Sequence, residues 1–131
     1  MPRKQDAART SQADQSQARD ERAATVRLMS LGADQLADRP WRRAPVPPSA
    51  VDLVHFALHR SADLDTDAVL SALTLLPAAR AEVEALESGL LFAARSAGLT
   101  WAQIAEAMGF NSPQACQQHF HRLAARQDAE S

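Results

Sequence analysis

The 131-residue sequence has no tyrosine, two tryptophans and four phenylalanines, and alanine supplies much of its 46% apolar content. A chain this poor in aromatics lacks the material of most sheets, whereas alanine suits close-packed helices. Cys116 is its only cysteine, which rules out an intramolecular disulfide. Four glycines leave little room for a phosphate-cradling loop, and no Ser, His and acid arrangement stands beside a strained glycine turn. A non-enzymatic protein is therefore expected. The longest apolar runs, Leu75 to Ala79 and Leu90 to Ala94, fall far below the roughly 20 residues that span a bilayer. No basic start runs into an apolar stretch as a secretory signal does, so a cytoplasmic protein with no membrane partner is expected. An excess of positive charge is missing too: 14 Lys and Arg stand against 16 Asp and Glu, a net charge of −2 that exerts no global pull on nucleic acid.

What is present falls into segments. Residues 1–22 mix Gln, Ser, Asp and Arg without a large apolar side chain after Met1, a composition that predicts a disordered tail. Residues 23–50 hold a weak helical pattern around Ala24, Leu28 and Leu31, then "RPWRRAPVPPS", whose four prolines predict an extended basic linker and a boundary. Ser49 is a cap for a largely apolar helix through Leu53, Phe56 and Ala57. Asp65 or Thr66 caps a second helix over Ala68 to Leu76, which Pro77 ends or kinks. This 51–76 region is a candidate dimerisation surface. From Ala78 onward, Val83, Leu86, Leu90, Ala93 and Ala97 fall at helical spacing, and Glu82, Glu84, Glu87 and Arg95 are expected mostly outside. Gly98 stops this helix as a left-handed cap.

The stretch from Gly98 to Arg126, "GLTWAQIAEAMGFNSPQACQQHFHRLAAR", carries the functional reading. Thr100 and Gln103 fit a capping box that opens a helix with Trp101, Ile104, Ala105 and Met108 inward. Gly109 stands where the chain must turn with positive φ, and Ser112-Pro113 restarts a helix, with Asn111 and Gln114 as an alternative start one residue earlier. In the last helix Cys116, Phe120 and Leu123 form an apolar stripe, whereas Gln114, Gln117, Gln118 and His121 form a polar one. A glutamine amide can donate to and accept from one adenine edge, and a short helix fits the major groove. Arg95, Arg122 and Arg126 are candidate phosphate holders, and the helix start at Ser112 and Pro113 offers backbone donors to another phosphate.

Leu90-Leu91, Ala93-Ala94-Arg95, Ala97-Gly98, Thr100-Trp101-Ala102, Ile104-Ala105, Met108-Gly109, Ser112, Gln114-Ala115 and Arg122-Leu123 together resemble the trihelical helix-turn-helix of a group of small actinobacterial DNA-binding proteins. The unit is also similar to the promoter-reading helix-turn-helix of sigma factors. The resemblance covers residues 77–126 and implies a trihelical helix-turn-helix there. With the small helical region read before it and a short tail, 127–131, after it, the expected fold is all-α. It implies sequence-specific binding of double-stranded DNA and transcriptional regulation. Two departures stand out: the "GFNS" turn is one residue longer than the shortest standard form, and Pro113 and His119 occupy positions where the group has basic residues.

Other constellations carry less. His55 and His59 share one helical face with Asp52 a turn earlier, which is half of a zinc site without a third ligand in evident geometry. "DLDTD" at Asp63 to Asp67 begins like a calcium loop but lacks its glycine and closing glutamate. Cys116 lies on the apolar stripe without a neighbouring base, which marks it as core. Trp41 with Arg42 and Arg43 is either a minor-groove arm or a linker residue packed on the helices. A lone unit of this size reads few base pairs, so a homodimer is expected. The rival to DNA is a protein partner, an RNA polymerase subunit or another regulator, held through residues 51–76.

Overall fold

The computed structural model describes residues 2–40 and 42–130, with the side chains of 4–40 and 42–129. Among these residues the helices are α1 (Pro2–Ser30), α2 (Ala50–His59), α3 (Thr66–Thr74), α4 (Leu76–Ser96), α5 (Trp101–Met108) and α6 (Pro113–Glu130), with a 3-10 turn at Ala33–Gln35. No strand forms among the described residues, and an isolated bridge joins Arg39 to Arg42. The fold is all-helical, as alanine-rich, tyrosine-free composition predicts. Two compact units divide the chain, residues 1–80 and 81–131.

In the first unit the expected disordered tail is corrected: helix runs from Pro2 without interruption to Ser30. The cause is local, because residues 3–31 contain neither glycine nor proline and are mostly good helix formers. Residues 4–16 bury nothing, so composition weighed only for burial misses them. Packing starts later along α1, where the Gln17 amide donates to the Thr74 carbonyl at 3.4 Å and Arg27 pairs with Asp65 at 2.8 Å. Ala24, Leu28, Ala33, Leu53, Phe56, Ala57 and Leu75 then form one buried cluster. Complete burial of Leu28 and of Leu53 stabilises the unit by about 1.5 to 3 kcal/mol each.

That cluster draws on residues from both sides of the proline-rich stretch, so the boundary expected there lies instead within α4, at residues 80–81. The stretch is fastened rather than free. Arg42 is buried, donates from Nη2 to the Ala37 carbonyl at 2.7 Å and places Nε 2.9 Å from Asp52 Oδ2. Ser49 and Asp52 form a reciprocal capping box at the start of α2, and Asp65 accepts from the Ala68 amide at 2.8 Å to cap α3. Leu75 closes α3, and Pro77 sits in the first turn of α4, where a missing donor costs nothing. Trp41 lies outside the described residues.

The second unit packs Leu91 of α4, Ile104 and Ala105 of α5, and Cys116 and Leu123 of α6 into one core. Trp101, Phe110, Phe120 and Ala94 are half-buried around it. Here the expected inward stripe of α4 is corrected by one position. Val83, Leu86 and Leu90 are exposed, as are Ala93 and Ala97. The face turned to α6 is Glu84, Glu87, Ser88 and Leu91, because three polar bonds select it: Glu84 to Arg126 at 3.3 Å, Glu87 to His119 at 2.8 Å and Ser88 to Gln127 at 2.8 Å. Met108, expected inward on α5, is also exposed.

Candidate nucleic-acid interface

The geometry around α6 is built from its caps. Thr100 accepts from the Gln103 amide at 3.1 Å while the Gln103 side chain accepts from the Thr100 amide at 2.8 Å, so α5 begins with both donors satisfied. It ends at Gly109 with φ of 82°, a left-handed conformation that lets the Phe110 amide reach back to the Ala105 carbonyl at 2.8 Å. Phe110 is thereby turned into the core beside α6. Ser112 then accepts from the Ala115 amide at 3.1 Å, which fixes the start of α6 at Pro113 and decides against the alternative start at Asn111. With the Ala115 amide taken and none on Pro113, the first turn of α6 offers the Gln114 amide to an anion.

Burial of Cys116 and Leu123 orients the rest of the helix. Gln114, Gln117, Gln118, His121 and Arg122 are all exposed and line one open hollow. Ser112 and Pro113 are half-buried at its start. Phe120 supports this side from beneath, its ring 5.7 Å from that of Trp101 and 6.2 Å from that of His121. Arg122 forms no ion pair among the described residues. Arg95 and Arg126 are otherwise engaged: Arg95 donates to the Leu99 carbonyl at 2.8 Å and stands over the Trp101 ring, and Arg126 pairs with Glu84. The structure therefore groups five of the nine candidate residues on one hollow and leaves the two outlying arginines tied to neighbours.

Glu84, Glu87 and Ser88 hold α6 against α4, and sequence reasoning misses them. Their spacing with Leu91 is that of one helical face, but three of the four are polar, so the pattern yields to the apolar stripe of Val83, Leu86 and Leu90. His119 is not on the open side at all; it bonds Glu87 and its ring lies 5.2 Å from that of Phe110. Cys116 is core, and burial, followed by the nearby Glu87 charge, pushes its thiol pKa up, the reverse of what a nucleophile requires. In the first unit, His55 and His59 are exposed on α2, and no group of three metal-ligating side chains comes together among the described residues. Nor is any described helix long and apolar enough to cross a membrane. No family model, curated protein sequence or solved structure matches the chain.

Proposed function

We propose that the chain is a sequence-reading DNA-binding protein and transcriptional regulator that inserts α6 into the major groove. The observation that carries this reading is the row Gln114, Gln117, Gln118, His121 and Arg122, free of the core and displayed on one open hollow of a helix whose entry is set by a glycine turn and a serine cap. Amides of this kind suit adenine edges, and Arg122 suits a phosphate or guanine. The trihelical core of α4, α5 and α6 supports a helix-turn-helix assignment, with α5 bracing and α6 reading. Selection from a random pool of duplexes at low salt is expected to enrich one short motif. Affinity for that motif should fall by a log–log slope of about −0.9 per neutralised phosphate as salt rises. Failure of the intact chain to retain any duplex at low salt would sink the reading.

A second copy completes the proposal. Val54, Ala57, Leu58, Val69, Ala72, Leu73 and Leu76 line a groove of about 210 Å³ between α2 and α3, and Leu58 is 71% exposed there. Exposed apolar surface of this kind favours association, and two copies double the base pairs read. The same groove favours the rival reading, a helix of an RNA polymerase subunit or other regulator as the occupant. Salt separates the two, since a helix-in-groove contact weakens little where phosphate binding weakens steeply.

A further inference from the structure

A second hollow, of about 210 Å³, opens in the first unit beside the start of α2. Leu36, Ala37 and Phe56 give it an apolar lining, and Arg39, Arg42, Asp52, His55 and His59 supply the charged and titratable groups on its wall among the described residues. The single carboxylate is already committed, since Asp52 Oδ2 accepts the Ser49 amide at 3.0 Å and lies 2.9 Å from Arg42 Nε. That leaves no free anionic ligand for a cation among the described wall residues, and it argues against the metal site that two histidines four residues apart would otherwise suggest. The Arg42 side chain is 8% exposed, and its ε N–H, although close to Asp52, is not directed at an acceptor, so a buried donor remains unsatisfied. The wall thus joins two guanidinium groups and two imidazoles to one neutralised carboxylate. The described lining beyond them is apolar.

We propose that this hollow binds a small organic anion, with the charged head against Arg39, His55 and His59 and the apolar body on Leu36, Ala37 and Phe56. Guanidinium groups recognise planar carboxylates and phosphates with paired N–H donors, and histidine adds a donor from each ring. The volume lies below the roughly 300 Å³ of pockets that hold drug-sized ligands, which limits the apolar body to about one ring or a short chain. Binding here is independent of the DNA assignment, because every described wall residue belongs to residues 1–80 and none to α6.

Benzoate, neutral benzamide and inorganic phosphate serve as probes of the full chain, followed by nuclear magnetic resonance. Benzoate is expected to shift the His55, His59 and Phe56 signals in a saturable way, with benzamide weaker by about ten-fold or more because it lacks the charge. Arg39→Gln and His59→Gln replace exposed side chains, so each should weaken benzoate by about ten-fold while the thermal midpoint stays within a degree or two. Inorganic phosphate that matched benzoate would overturn the apolar part of the proposal, and benzamide that matched it would overturn the anionic part. Absence of any saturable shift, or zinc binding that excludes benzoate, would overturn the site itself.

Discussion

Gln117 and Gln118 stand free of the core, so their replacement tests reading without testing folding. Gln117→Ala with Gln118→Ala should leave stability within about 0.5 kcal/mol. Discrimination between the selected motif and a scrambled duplex should fall by about 1 to 3 kcal/mol for each bidentate pairing with adenine that the substitutions abolish, with binding to random DNA nearly unchanged. Arg122→Ala should do the opposite, weakening all sequences alike and lowering the salt slope by about one. Arg126→Ala should move that slope less, because its guanidinium already pairs with Glu84. Competition binding at several salt concentrations reads all of these, and a double glutamine variant that keeps its full preference would remove the assignment of α6 as reader.

Two glycines separate the demands of a turn from those of a helix. An added Cβ meets nothing within 4 Å at either Gly109 or Gly89, yet Gly109 has φ of 82° and Gly89 lies inside α4. Gly109→Ala should therefore destabilise by about 1 to 2 kcal/mol through left-handed strain alone. Gly89→Ala should stabilise by about 0.5 to 1 kcal/mol, because alanine costs less entropy in a helix. Denaturant melts of the two variants should move in opposite directions. The cap of α3 adds a pH dependence. The Ala68 amide, and next Arg27, hold the Asp65 carboxyl below its ordinary pKa. The folded chain binds that proton less readily than the unfolded one, so the stabilisation is present above the ordinary carboxylate range and is lost as pH falls through the lowered pKa. Asp65→Ala should lower the thermal midpoint at neutral pH, and the gap from the parent should close in acid.

These same elements show what sequence alone could give. Thr100, Gly109 and Asp65 were readable because caps and turns are set by chemistry within four residues. The inward face of α4 was not, since a helix with apolar residues on several sides offers more than one stripe, and partners on α6 decide between them. The start of α1 escaped for another reason: residues 4–16 are all exposed, and helix propensity without burial leaves no periodic signal. The polar stripe of Gln114, Gln117, Gln118 and His121 on α6 could be read, but the engagement of Arg126 could not, because Glu84 stands far from it in sequence and is met only in three dimensions.

For the chain as a unit of assembly, the groove between α2 and α3 sets the expectation. A stable interface removes about 800 Å² from each partner, and a groove lined by exposed Leu58, Val69 and Leu73 supplies the apolar centre of such a patch. Sedimentation equilibrium at micromolar concentration should give the mass of two chains, and Leu58→Glu with Leu73→Glu should return it to one. A parent chain that sediments as one would remove the homodimer and leave the groove to another protein.

The bonds between α4 and α6 carry a further consequence for how such a protein finds its target. Glu84 and Glu87 tie down Arg126 and His119 and leave Arg122 as the α6 arginine without a partner among the described residues. On the DNA-reading assignment, few phosphates are neutralised at any one moment, and random sequence holds the chain only briefly. Such a searcher would spend little of its time parked at wrong positions along a genome. It would reach its sites by repeated short visits from solution rather than by long slides along the duplex.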